Sequence, residues 1–330
     1  MKEYDLIMVS MTLSNGVGSL RSKALYDYLS LKGLNVCVVE KESTNLIWIF
    51  SIIKNIYNNK AKKLYVSCGP FILLPVLILL ALIFRKKLIV DFRDPWSLNL
   101  LNNYGRGGKV NKLKYLLSLM LEKVTYFFCY KFIVCTKGMY YEYSKIFKCN
   151  KKIKIIENGF NFDCFLSENL NVINNDEILK FICVGKFAEY DFDKAVEILK
   201  EIKKRARLFN VVFVGCDFDL NKEAVSLAEI DENVSFKNKM CYQDVITYLR
   251  DFNVGLFIVR DENIEYGTKI FDYIGSGLSV YSIINEESIL YLEFNEYFYK
   301  FDSNDILSGT LDRGKWNRSN LFNKFEGILF

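Results

Sequence analysis

The 330-residue sequence predicts an α/β protein of two Rossmann-like domains, each a parallel sheet with helices on both faces. Three observations carry that reading. Short apolar runs rich in Val, Ile and Phe alternate with stretches whose apolar positions recur at helical spacing. From Ser167 to Glu177, "SENLNVINNDE", the chain turns polar, and the alternation then begins afresh. Glycines and paired charges also follow several apolar runs directly, and open α/β sheets bind ligands at the carboxyl ends of their strands.

In chain order, "YDLIMVS" reads as a strand, "GSLRSKALYDYLSLKG" as a helix and "NVCVVE" as a second strand. The strand "KLYVSCG" precedes the most hydrophobic segment, "FILLPVLILLALIF", Phe71 to Phe84. Its fourteen residues, interrupted by Pro75, fall short of the roughly 18–20 that span a bilayer. A buried helix is expected, with an interfacial segment as the alternative because Arg85, Lys86 and Lys87 follow at once. "KLIVDF", the long helix "LKYLLSLMLEKVTYFFCY", "KFIVCT", the helix "MYYEYSKIF" and "KIKIIENG" complete the first series. The second runs "LKFICVGKF", helix "DFDKAVEILKEIKKRA", "NVVFVGCD", "NVSFKN", helix "CYQDVITYLRDF", "VGLFIV", helix "TKIFDYIGSG" and "LSVYSI". Strands joined through helices pair in parallel. The expected boundaries are 1–165 for the first domain, 166–177 for a linker, 178–314 for the second domain and 315–330 for a terminal amphipathic helix.

Composition narrows the chemistry. The chain has no histidine, which excludes Ser-His-Asp and Cys-His catalysis and any histidine base or metal ligand. Its nine cysteines show no C-x-x-C spacing, so neither a zinc ribbon nor a redox motif is expected, and a reducing cytosol is. The N-terminal "MKEYDLIMVS" is too polar for a secretory signal. Residues 1–165 hold 25 Lys/Arg and 11 Asp/Glu, net +14; residues 166–330 hold 19 and 28, net −9. A basic half suits an anionic partner such as a membrane surface, a pyrophosphate or a nucleic acid. The acidic second half and the lack of a known module weigh against nucleic acid.

Several short stretches could carry function. In "SNGVGSLRSKAL", Gly16 and Gly18 stand between a strand and a helix N-terminus, where backbone can approach an anion; a purely structural tight turn fits about as well. In "VDFRDPWS", Asp91, Arg93 and Asp94 end an apolar strand, where charges are costly unless paired or used. "NNYGRGGKVNKLK" presents Arg106 and Lys109 among three glycines, as a phosphate-binding loop or an ordinary solvated one. "YGTKIFDYIGSGLSVYSI" places Gly267, Thr268 and Lys269 at the mouth of a helix, with Asp272 one turn in.

Taken together, "SNGVGSLRSKAL", "VDFRDPW", "IIENGFNFDCF", "FICVGKF", "VVFVGCD" and "YGTKIFDYIGSGLSVYSI" give the chain a resemblance, over nearly its whole length, to GT-B glycosyltransferases of the family-four type. Those are retaining enzymes that transfer sugars from nucleotide donors. The resemblance implies two Rossmann-like domains facing across a cleft, the first receiving the acceptor and the second the nucleotide sugar, with the terminal helix returning to the first. It implies that Gly267, Thr268 and Lys269 meet the donor diphosphate, with Gly16, Gly18 and Lys194 assisting, and that Asp272 holds the ribose in place of the usual glutamate. Asp94, Lys186 and Glu265 take the catalytic positions; Asp91, Arg93, Arg106 and Lys109 lie on the acceptor side.

The sequence departs from the family pattern at three places. Ile264 stands where a first glutamate is usual, leaving Glu262 or Glu265 to substitute; Lys186 replaces an arginine; and Asp191 and Phe192 stand where a lysine is expected, making Lys194 the alternative. The resemblance further implies no metal, a lipid-linked glycan acceptor of the O-antigen or capsule kind, and a peripheral place on the inner face of the cytoplasmic membrane. The competing expectations are a catalytically idle binding subunit of a transferase complex and, less readily, a nucleotide-sugar epimerase.

Overall fold

The computed structural model describes residues 3–13, 19–41, 43–69, 71–102, 111–161, 178–301 and 311–329. The chain forms two compact units, one of residues 1–161 and 321–330, the other of residues 162–320. The expected linker, residues 166–177, lies outside the described residues.

The first unit holds a six-stranded parallel sheet of β1 (Leu6–Ser10), β2 (Val36–Glu40), β3 (Lys63–Ser67), β4 (Lys87–Phe92), β5 (Lys131–Val134) and β6 (Ile153–Ile155), in the order β2-β1-β3-β4-β5-β6. The connecting helices are α1 (Leu20–Leu31), α2 (Asn45–Tyr57), α3 (Leu74–Ile83), α4 (Trp96–Leu101), α5 (Lys112–Phe128) and α6 (Lys137–Phe147). Threonine caps start two of them: Thr44 accepts from the Ile47 amide and Thr136 from the Met139 amide, at 3.4 and 3.0 Å. Strand alternation sends Leu6, Met8, Tyr65, Ile89 and Ile133 to one face, where they pack against α1 and against Phe322, Phe325 and Ile328 near the C-terminus. Phe92 and Phe132 face the other way and meet Phe71, Tyr126 and Tyr143.

The second unit holds β7 (Leu179–Val184), β8 (Phe209–Val214), β9 (Val234–Lys237), β10 (Val254–Leu256) and β11 (Ser279–Tyr281), all parallel, in the order β11-β10-β7-β8-β9. Its helices are α7 (Phe192–Arg205), α8 (Phe218–Leu227), α9 (Tyr242–Leu249), α10 (Lys269–Gly275) and α11 (Ile289–Phe294), and α12 (Arg318–Leu329) closes the chain. Side-chain caps again set the starts, Asp191 for α7 and Asp217 for α8. Ala195, Ile198, Leu199 and Ile202 of α7 seal one face of this sheet against Phe181, Val211 and Phe213.

The sequence reading passes over α2, α4, α8 and α11. In α2 the cause is plain: "NLIWIFSIIKNIY" is apolar on nearly every side, so no clean helical period stands out. The GT-B expectation otherwise holds at the level of fold: two domains, each a parallel α/β sheet.

Candidate functional site

In the second sheet the strand order reverses between β7 and β10, so the crevice expected for a ligand opens beyond their carboxyl ends. The two strands pair only at Val254–Phe181 and Gly255–Ile182. Past that point Tyr273 of α10 bridges them: its hydroxyl accepts from the Val184 amide at 3.0 Å and donates to the Leu256 carbonyl at 3.3 Å. Gly255 makes room for this. A Cβ there would stand 2.3 Å from the Tyr273 ring, far inside contact. The strand thus fixes α10, and α10 fixes the loop before it.

That loop carries Gly267 (φ +67°) and Thr268, which caps α10 without a side-chain hydrogen bond. A Cβ on Gly267 would press on the Phe257 ring at 3.1 Å, so glycine is required twice over, by backbone and by space. The Lys269 ammonium turns back across the crevice to donate to the Lys186 carbonyl and lies 5.5 Å from the centre of the Tyr190 ring. Burial pushes its pKa below the ordinary lysine value, opposed by Cys183 and Glu189. Gly185 (φ +68°), at the end of β7, lies beside the end of the Lys269 side chain; its backbone conformation, rather than space, calls for glycine. Lys186 itself is exposed. Arg260, from the loop after β10, stands over the same Tyr190 ring at 5.0 Å. Burial raises the Tyr190 pKa; Arg260 opposes that shift and Glu265 adds to it.

Glu189 holds the floor in place. One carboxylate oxygen accepts from the Asp217 amide (2.8 Å), the other from the Phe187 amide and Asn221 Nδ2 (both 2.9 Å). Burial alone would raise its pKa; these donors outweigh that and hold the carboxylate below its usual range. The loops after β7 and β8 are thereby tied to one side chain.

Asp272 lies one turn inside α10, accepting from the Tyr242 hydroxyl at 2.7 Å. Burial pushes its pKa up to about 6, against the pull of Tyr242 and Arg318. Lys194 does not stand free: it pairs with Glu262 at 2.5 Å, and Glu262 also accepts from the Asn285 amide. Glu265 takes a different place, its amide bonded to the Asp261 carbonyl. The structure therefore sets Lys269 and Glu265 near Tyr190 and Lys186 near Lys269, holds Asp272 one turn into α10 and couples Lys194 to Glu262. Arg260, Tyr190 and Glu189 are additions to the sequence reading. Arg260 had one signal, its place directly after the strand "VGLFIV".

In the first sheet the order reverses between β1 and β3. Here the charges close on themselves. Arg21 of α1 donates to both Asp91 oxygens, at 2.8 and 3.3 Å, and to the Ile156 and Glu157 carbonyls at 2.9 and 2.7 Å. Tyr65 donates to the same carboxylate at 2.5 Å. Arg21 and Asp91 are almost fully buried. Burial disfavours the Arg21 charge, but Asp91 more than offsets it and raises its pKa. Asp91 is thus committed inside the fold. Asp94, two residues past β4, is exposed, and Arg93 is half-buried beside Gly69. Gly16, Gly18, Arg106 and Lys109 lie outside the described residues. Among the described residues no group of three Cys, Asp or Glu side chains is placed to hold a metal.

No family model matches the sequence, and no curated protein does. Solved structures do match its fold. HepE from Anabaena, in complex with UDP and glucose, superposes with a TM-score of 0.63 at 10% identity, over 99% of each chain. Sucrose-phosphate synthase from Thermosynechococcus elongatus gives 0.60 at 12% identity, over 98% of this chain and 96% of its own. The lipopolysaccharide outer core galactosyltransferase WaaB, in its apo form, gives 0.59 at 10% identity, over 100% and 99%. The chain has the GT-B fold, and these neighbours are glycosyltransferases.

Proposed function

We propose that this chain is a retaining glycosyltransferase that moves a sugar from a UDP- or GDP-sugar to a lipid-linked glycan, in surface-polysaccharide assembly of the O-antigen or capsule kind. The observation that carries the reading is the set of three cations, Lys186, Lys269 and Arg260, gathered at the switch point of the second sheet with Asp272 one turn into the following helix. A diphosphate is the ligand class that such a set suits, and a ribose hydroxyl pair suits the carboxylate.

In this mechanism the bond between the donor's anomeric carbon and the diphosphate oxygen breaks. Lys186, Lys269 and Arg260 neutralise the charge that develops on the departing group, the contribution usually largest in such sites. The acceptor oxygen bonds to the anomeric carbon on the face that the diphosphate leaves, and the departing diphosphate oxygen takes that hydroxyl's proton, so no histidine base is needed. Asp94 orients the acceptor or the donor sugar, and Glu265 lies with the cations. Side-chain cations supply the charge that a metal supplies elsewhere. The basic residues of the first half suit an acceptor carrying phosphate, at the inner face of the cytoplasmic membrane.

One observation favours a second reading, an idle binding subunit: the Lys194 charge is already met by Glu262, which leaves less to stabilise a departing diphosphate. A single experiment decides. Purified protein is screened against UDP-, GDP-, ADP- and CMP-sugars, following nucleotide release with and without membrane extract. Release from one donor, stimulated by the extract and abolished by Asp272→Ala, is expected. Tight binding with no release under either condition would leave only the idle subunit, and no binding at all would overturn both.

A further inference from the structure

Helix α5 is inside out. Its polar side chains Ser118, Glu122 and Thr125 are buried, while Leu113, Leu116, Leu117, Met120, Val124 and Phe127 form a stripe at helical spacing on the outside. The inward polar groups are satisfied: Glu122 accepts from the Ser97 amide (3.0 Å), the Ser97 hydroxyl and the Tyr143 hydroxyl (2.8 Å), and Ser118 and Thr125 donate to carbonyls one turn back. The outward apolar groups stay exposed, Phe127 by 71% and Leu113 by 68%.

The stripe continues across its neighbours. α3, which has no polar side chain, packs beside α5 and leaves Leu79, Leu82 and Ile83 at least half exposed. α2 packs beside α3 and exposes Leu46, Ile47 and Phe50, and its Tyr57 meets Phe84 edge to face. Three adjacent helices thus share an outward apolar face, larger than the scattered exposed hydrophobics of an ordinary surface.

The charges around that face are of one sign. On the three helices and the turn Arg85–Lys87, the exposed charged residues are Lys54, Arg85, Lys87, Lys112, Lys114 and Lys123; the one acid, Glu122, is buried. Two copies of this face would repel each other. An anionic lipid surface complements it in both respects, taking the apolar side chains at the headgroup–acyl boundary and pairing with the cations. Among the described residues no helix is long and apolar enough to cross a membrane. We infer that the outward face of α2, α3 and α5 docks the protein in the plane of an anionic bilayer, a docking that rests on the reading above only for its purpose, access to a lipid-borne acceptor.

The test is vesicle flotation of the full chain at physiological salt. With vesicles of equal parts phosphatidylcholine and phosphatidylglycerol the protein floats; with phosphatidylcholine alone it binds at least about tenfold less. The variants Leu82→Glu/Leu116→Glu/Met120→Glu and Lys87→Glu/Lys112→Glu/Lys123→Glu each lose about tenfold or more, with melting temperature and UDP-sugar binding unchanged. Either variant floating like the parent would overturn the inference. So would a parent that fails to float, and a parent dimer that the leucine variant turns monomeric would then assign the face to a second copy. UDP-sugar binding on the same samples separates the two claims: flotation without donor binding sinks the transferase and keeps the docking, and the reverse does the opposite.

Discussion

The carboxyl ends of the two sheets hold charge in opposite ways. In the first, Arg21 and Asp91 are buried against each other, and two further N–H groups of the guanidinium meet the Ile156 and Glu157 carbonyls. In the second, Lys269 and Arg260 share one tyrosine ring and Lys186 faces solvent. The first arrangement is complete without a ligand. The second leaves positive charge facing a crevice, an arrangement that a folding requirement alone does not call for. Charge at a strand end is therefore informative only once its partners are counted.

The contrast breaks most easily at Arg21. Arg21→Met strands the buried Asp91 carboxylate and is expected to cost about 3–5 kcal/mol in urea unfolding; a loss under about 1 kcal/mol would mean the pair is not what holds this end together. Lys269→Met should behave in the opposite sense, lowering UDP-sugar affinity by about 10- to 100-fold in calorimetry while leaving the fold as stable or more so, since it removes a desolvated charge. Unchanged affinity would erase the difference between the two ends.

Asp272 sharpens the comparison through pH. Its pKa is about 6 in the fold, above that of an ordinary carboxyl, so the folded state holds the proton more tightly than the unfolded one. The resulting stability is complete below about pH 4 and is lost as pH rises through 6. Asp272→Asn should remove that slope and gain about 1–2 kcal/mol at pH 7 after discounting for partial exposure. UDP-sugar affinity should rise between pH 5 and 7 in the parent and stay flat in the variant; parallel profiles would exclude Asp272 from the ligand. The Lys194–Glu262 pair, its side chains 17% and 18% exposed, lies between a surface pair and a buried one: Lys194→Met should cost about 1–2 kcal/mol of stability. If it lowered donor affinity as much as Lys269→Met, Lys194 would belong with the diphosphate cations.

What the sequence made legible follows from distance along the chain. The strand–helix alternation and the opening of α10 at Gly267-Thr268-Lys269 are local patterns, readable within a few residues. The Arg21–Asp91 pair joins positions 70 apart, and Glu189 ties together loops some 28 residues from each other, so no window contains either. Tyr273 seated on Gly255 is intermediate: a glycine inside "VGLFIV" signals close approach, but not of what. The exposed stripe of α5 has correct helical period and the wrong side turned in, which period alone does not tell.

The packing of α12 on the first unit sets an order of events during synthesis. Phe322, Phe325, Ile328 and Leu329 fill a core otherwise built from residues 6–156. The first unit therefore waits for Phe322 to Leu329 to leave the ribosome, while β7 to β11 can pair beforehand. At roughly 5–20 residues per second the wait lasts on the order of ten seconds or more. For that interval the Tyr28 and Tyr65 rings lack their C-terminal partners, so the nascent first unit is the species most in need of a chaperone.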